Sequence, residues 1–193
     1  MTTLNKQSLY LAVAIATCST FVHAADSRQT HYDHNKFGQI TSVDGPRTDV
    51  QDITTYDYDL TNANLLSVTN AAGHQTRYSN YTGGGLAQTI TTPNGAIINL
   101  QYDWKGRVLQ QEVISDQGRQ VTVYGYDKAG ELISVTQPNG ATLHYQYDKA
   151  HRLIAMYNDL GERIDFALDS AGNITEQTVT DASGTLVRQH QQV

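Results

Sequence analysis

The chain has 193 residues, enough for one domain, with 13 basic and 19 acidic side chains and a formal net charge of -6. That balance, with no basic patch to offset it, excludes an electrostatic nucleic-acid binder. Tyrosine dominates the aromatics, twelve against three phenylalanines and one tryptophan, so most rings here can pack while their hydroxyls keep a polar partner.

Residues 1 to 24 carry the pattern of a secretory leader. Lys6 supplies the positive start, Leu9 to Thr17 a short apolar run, and Val22-His23-Ala24 a small-residue site for cleavage after Ala24. The run is too short to span a membrane. The expected product is a secreted or periplasmic chain of residues 25 to 193 with no membrane span. Lys6 is the leader's only charge, so this part keeps 12 basic and 19 acidic groups, a net of -7. The single cysteine, Cys18, falls in the leader, which leaves the mature chain without disulfides despite an oxidising destination. A lipoprotein acylated at Cys18 is the alternative, and the bulky Thr17 before it argues against that.

Ala25 to Thr30 reads as a polar lead-in. The first repeat is placed at Tyr32-Asp33, with a long turn reaching Gly38, and Asp44-Gly45-Pro46-Arg47 forms a second turn. In Tyr56-Asp57-Tyr58-Asp59 the turn that follows puts Asn62 or Asn64 where later copies have glycine, because asparagine tolerates positive φ. Tyr81-Thr82-Gly83-Gly84-Gly85 has lost its aspartate. Its three glycines lack the lysine and hydroxyl residue of a phosphate loop and read as a loosened turn. The regular copies are Tyr102-Asp103-Trp104-Lys105-Gly106, Tyr126-Asp127-Lys128-Ala129-Gly130, Tyr147-Asp148-Lys149-Ala150-His151 and Leu168-Asp169-Ser170-Ala171-Gly172. In each, the aspartate accepts backbone N–H groups to open a turn, and the last residue sits at positive φ, which glycine adopts without strain. An aliphatic residue follows two places later: Val108, Leu132, Leu153, Ile174. The starts Tyr58, Tyr81, Tyr102, Tyr126, Tyr147 and Leu168 are 23, 21, 24, 21 and 21 residues apart, room for two strands. Between them, Pro93-Asn94-Gly95 and Pro138-Asn139-Gly140 give the Asn-Gly signal of a tight hairpin. Two kinds of turn are therefore expected to alternate. Within a unit, Leu143, Tyr145 and Tyr147 alternate with Thr142, His144 and Gln146, the two-residue period of a strand with its aromatic face buried. No window has helical spacing. The fold class expected is all-β, repeated β-hairpins forming one continuous, curved antiparallel sheet. Residues 25–193 make a single domain of about six to seven such repeats, ending in a polar tail from Arg188 to Val193.

These residues resemble the YD repeats of the Rhs family: Tyr-Asp, two variable residues, glycine, one variable residue, then an aliphatic residue. The likeness covers about residues 31 to 188, and Asp44 to Val50 also looks like a segment of bacterial members. The resemblance implies hairpins joined edge to edge into a spiralling sheet, a segment of the hollow shells of Tc toxins, Rhs toxins and teneurins. The core segment with an aspartyl autoprotease motif and the variable toxic C-terminus of long members have no counterpart in residues 176 to 193.

No catalytic residues, metal or cofactor are expected. His31, Asp33 and His34 have zinc-ligand types, but positions 31 and 34 of a strand face opposite ways and a fourth ligand is lacking. The aspartates Asp33, Asp59, Asp103, Asp127, Asp148 and Asp169 each have a turn to cap, as Gly106, Gly130 and Gly172 have a turn to close. Binding candidates are aromatic: Trp104, reachable on a turn, with Tyr102, Tyr126, Tyr145 and Tyr147. Three functional readings follow. One is a non-catalytic scaffold that contacts a larger shell, a partner protein or itself through sheet edges or its aromatic face. Another is a carbohydrate-binding cell-surface module holding a polysaccharide on exposed rings. The last is a remnant of a longer toxin gene without present activity.

Overall fold

The computed structural model describes residues 29 to 191 apart from 48 and 51. The leader, its cleavage site and Cys18 lie outside these residues. Fifteen strands follow among the described residues: β1 (His31–His34), β2 (Ile40–Asp44), β3 (Thr54–Tyr58), β4 (Leu65–Thr69), β5 (Gln75–Tyr81), β6 (Ala87–Thr91), β7 (Ile97–Tyr102), β8 (Val108–Ser115), β9 (Gly118–Tyr126), β10 (Leu132–Thr136), β11 (Thr142–Tyr147), β12 (Leu153–Asn158), β13 (Arg163–Leu168), β14 (Ile174–Thr180) and β15 (Leu186–Gln191). They form one antiparallel sheet whose spatial order is the chain order. Among the described residues there is no helix, and each strand touches only the strands before and after it. The sheet is open, a strip that never meets its own beginning.

Register sorts most side chains into two faces, with Ile97, Ile114, Val121 and Val123 on the polar one and Gln111, Gln120 and Gln177 on the apolar one as exceptions. Partners across a ladder share a face, and so do alternate residues along a strand. One face carries Tyr56, Val68, Tyr78, Ile90, Ile98, Leu100, Val113, Tyr124, Val135, Leu143, Tyr145, Met156, Ile164, Phe166 and Val179. The other carries Asp57, Ser67, Arg77, Ser79, Thr89, Asn99, Gln101, Glu112, Thr136, His144, Gln146 and Asp165. The period-two reading of Leu143, Tyr145 and Tyr147 therefore gives the right face, but the expected burial does not follow. Residues on the apolar face are half-buried, and only Ala155 and Ser67 are buried among the described residues. The reason is architectural: the strip is a single layer, and no second layer covers it among the described residues.

The turns correct three expectations. First, the Asn-Gly segments close hairpins as expected, β6 to β7 and β10 to β11, but without a turn kind of their own. Thr92 N–H donates to Ala96 O (2.9 Å) and Gly95 N–H to Thr92 O (2.9 Å), so the four residues Thr92 to Gly95 turn and only the glycine, φ 83°, is left-handed. Gln137 to Gly140 repeats this, with Pro138 at the second position that its fixed φ suits. Asp103 to Gly106 and Asp148 to His151 have the same two bonds, so one turn geometry serves both ends of the strands. Second, the first turn runs from Asn35 to Gly38, and Asp33 lies within β1, where its carboxylate accepts the Ser42 hydroxyl at 2.6 Å. His34-Asn35, not Tyr32-Asp33, stands in the Tyr-Asp place. Third, after Asp59 the left-handed residue is Ala63, φ 64°, rather than Asn62 or Asn64. The turn is one residue longer, closed by Ala63 N–H to Asp59 O at 2.8 Å, and the asparagines serve instead as polar braces: Asn62 Nδ2 donates to Asp59, and Asn62 Oδ1 accepts Asn64 N–H.

Candidate interaction surface

Two rims bound the strip: a tyrosine rim, where each Tyr-Asp turn lies, and a far rim with the turns between repeats. At the tyrosine rim the strands inside a hairpin pair along most of their length, as in β7 with β8 from Ile97 to Tyr102. Four of the junctions between hairpins, β4 with β5, β6 with β7, β10 with β11 and β12 with β13, pair over only three residues each, all toward the far rim. Successive hairpins thus splay apart like the ribs of a fan.

Tyrosine fills the splay. Tyr102 Oη donates to Ala87 O (2.8 Å), Tyr126 Oη to Val108 O (3.1 Å) and Tyr147 Oη to Leu132 O (2.9 Å), while Tyr81 Oη bonds Leu65 O. Each bond reaches from one repeat's Tyr-Asp position to the first residue of the preceding return strand, where the ladder has stopped. Burial pushes the phenols of Tyr102 and Tyr147 above their usual range. The Arg107 guanidinium lies 4.5 Å over the Tyr126 ring and clamps Asp103 through Nε at 2.7 Å. Three of the aromatic binding candidates are therefore engaged in joining repeats. Tyr145 lies on the apolar face, and Trp104 stands apart from both, 88% exposed on its turn.

The turn candidates form one series. Asp103 Oδ1 accepts Lys105 and Arg107 N–H at 2.8 and 3.0 Å, Asp127 Oδ1 accepts Gly130 and Glu131 N–H at 2.7 and 2.9 Å, and Asp148 Oδ1 accepts Ala150 and Arg152 N–H at 2.8 and 3.0 Å. Asp169 accepts from the amide and side chain of Asn173, both at 2.9 Å. These bonds, led by the Arg152 backbone N–H at Asp148, the Glu131 backbone N–H at Asp127 and the Asn173 side chain at Asp169, hold all three carboxyls below the usual range. Gly106, Gly130 and Gly172 close their turns at φ 82°, 105° and 92°, and His151 does so at φ 63°.

Turn-to-turn contacts were not legible in the sequence. Gln39 Nε2 donates to Ala63 O (3.0 Å), His151 Nδ1 meets Glu131 Oε1 (3.0 Å), and Arg152 Nη1 donates to Asp169 O (2.9 Å). All three depend on the residue at or just after the turn's end, a position that looks variable in a repeat alignment. A second unforeseen group lies on the polar face. His144 stacks on Tyr157 at 4.8 Å and meets Asp159 at 2.9 Å, while Arg163 bonds Asp165 and Gln146. His144, Asp159, Arg163, Asp165 and Gln146 each have a polar partner within the group.

Hollows open where the rim splays. One of about 530 Å³ lies between the Thr82 and Asp103 turns, lined by Leu86, Tyr102, Trp104 and Lys105. On the apolar face near the far rim, Leu143, Met156, Ile164, Val179 and Val187 line another of about 330 Å³. A family model described as the teneurin YD-shell matches residues 12–167 and 83–192. The chain belongs to the YD-shell family. Among solved structures, TcdB2-TccC3 without its hypervariable C-terminal region is similar at 19% identity and TM-score 0.61, over 74% of this chain and 8% of that one. TcdB2-TccC3 is similar at 15% identity and TM-score 0.56, over 82% and 12%. The Photorhabdus luminescens Tc holotoxin pore is similar at 14% identity and TM-score 0.53, over 80% and 11%. At these identities the likeness is one of fold, and this YD-shell chain spans about a tenth of the length of the chains it matches. No curated protein matches it in sequence.

Proposed function

We propose that this YD-shell chain is a non-catalytic, exported scaffold segment that works by extending a sheet, its edge strands β1 and β15 taking strands from a larger shell, a partner protein or a second copy. The observation that carries this is the open strip, whose first and last strands, β1 and β15, each pair on one side only among the described residues. Each edge presents a row of backbone N–H and C=O groups without sheet partners among the described residues, which is what strand addition uses. β15 carries one charged residue, Arg188, and no proline that would block pairing. Further support comes from the turn aspartates, whose oxygens are committed to their own turns rather than converging in a cleft.

Light scattering of the purified protein tests it. The expected result is a mass above that of one chain, falling when β15 is blocked by Gln189→Pro or His190→Pro with the remaining sheet intact by circular dichroism. A single-chain mass and no capture of YD-shell partners would count against edge addition. Turnover of a polysaccharide or peptide, abolished by Asp148→Asn without unfolding, would overturn the non-catalytic reading. Export is checked by intact mass, which should show a chain beginning at Ala25.

One observation favours a second reading, carbohydrate binding at the tyrosine rim. Trp104 presents an exposed ring beside the 530 Å³ hollow, with Lys105 Nζ 5.1 Å from its centroid. Loss of glycan-array signal in Trp104→Ala would support it. Tyr102, Tyr126 and Tyr147 add little, since their hydroxyls already bond the neighbouring strand.

A further inference from the structure

The strip confines its strand charges to one face, although that face also carries the exposed Ile97, Ile114 and Val123. Between β2 and β14 every charged strand residue, among them Asp57, Arg77, Glu112, Arg119, Arg163 and Asp165, lies on one face. The opposite face, with Tyr56, Tyr78, Leu100, Tyr124, Leu143 and Phe166, has none, and no element among the described residues covers it. A sheet with one apolar face is stable when that face is packed against another layer. The tyrosine bonds and turns described above join neighbours within the layer and leave this need unmet.

We propose that a second copy of this chain supplies the missing layer, apolar face to apolar face, in a twofold sandwich. The area suits such an interface. The eight strands β6 to β13 span about 38 Å across the sheet and about 17 Å along the strands, roughly 650 Å² of footprint on each copy. Two such faces give about 1,300 Å², within the range of specific stable interfaces. Charge points the same way. Residues 25 to 193 carry a net charge of -7, and this face, free of strand charges from β2 to β14, is where two copies meet without bringing like charges together. A twofold contact also matches a long apolar strip with one of equal length and equal composition. The hollow of about 330 Å³ among Leu143, Met156, Ile164 and Val179 would receive apolar side chains of the facing copy.

The test is sedimentation of the purified protein, with Leu100→Glu and Tyr124→Glu as variants on the apolar face and Gln101→Glu on the polar one. The wild type is expected to contain two chains and to leave the dye ANS unbound. Either apolar-face variant should raise the dimer dissociation constant at least a hundredfold, since each places two charges in a dry interface. Gln101→Glu, one residue away on the other face, should leave it unchanged. Where a glutamate variant fails to fold, Leu100→Gln and the dye measurement decide. A folded wild type that binds ANS strongly, or sediments as one chain, overturns the proposal. So does a dimer that survives Leu100→Glu but is split by His190→Pro, which is the signature of edge pairing alone, or a co-purified foreign polypeptide bound to the face.

Discussion

Most turns at the two rims of the strip close with the same backbone bonds, the two-residue turn between Ser115 and Gly118 excepted, yet the rims hold neighbouring repeats together in different ways. At the far rim the ladder runs up to the turns and the backbones themselves approach: a methyl group on Gly161 would sit 3.3 Å from Ala182 O in the next far-rim turn. At the tyrosine rim the ladder between most repeats stops short, and side chains span the opening. The difference teaches what the tyrosine of the Tyr-Asp pair does. The aspartate belongs to its own turn, whereas the tyrosine belongs to the previous repeat.

The largest expected effect tests the far rim. Gly161→Ala combines a left-handed backbone, φ 91°, with the close Ala182 carbonyl and should cost about 2 kcal/mol. Gly95→Ala, at φ 83° with open space around it, should cost about 1 kcal/mol. Equal costs in urea denaturation would mean the far-rim turns are not in contact. At the tyrosine rim, Tyr147→Phe strands the Leu132 carbonyl and should lose about 1 kcal/mol. Tyr145→Phe, two residues away on the apolar face and without a hydroxyl partner, should lose close to nothing. Similar losses from both would show that the ring, not the hydroxyl, joins the repeats.

Much of this was legible in the sequence. The unit, its hairpin form, the facing of Leu143 and Tyr145 and the turn-opening aspartates all come from periodicity and local chemistry, which act within a few residues. What was not legible depends on neighbours about twenty residues away. Nothing local tells that the Tyr147 hydroxyl finds Leu132, that Arg152 reaches Asp169, or that the apolar face lacks a covering layer. The misplaced first turn has a local cause, since His34-Asn35 has the geometry of Tyr-Asp without its letters. Asn-Gly marked its hairpins correctly, but not their geometry, because Thr92 and Gln137 open the same four-residue turn as the aspartates and leave glycine at its end.

A smaller effect sharpens the turn comparison. His151 holds at φ 63° a place where its sisters have glycine. His151→Gly should gain about 0.5 kcal/mol, the relief of left-handed strain exceeding the entropy of a looser unfolded chain. Loss of stability would instead mean that the exposed contact with Glu131 outweighs the strain.

The smallest effects are with pH. Asp127, Asp148 and Asp169 have lowered folded pKa values, so the stability they contribute is present above the ordinary aspartate range and lost as pH falls below about 4 and through the folded values. Tyr102 and Tyr147 have raised values, so the unfolded chain ionises first and stability declines as pH rises past about 10. Melting temperature against pH should fall at both ends, and Tyr147→Phe should flatten the alkaline limb alone.

Because spatial order equals chain order, every strand finds its template in the strand made just before it. Such a chain can fold vectorially as it leaves the ribosome, with no long loop to close and no early strand waiting for a late one among the described residues. It also fixes the grammar of change by duplication. Adding or removing a whole two-strand repeat leaves downstream residues on their own faces, while adding or removing a single strand reverses the direction of every strand beyond it and interchanges the two rims.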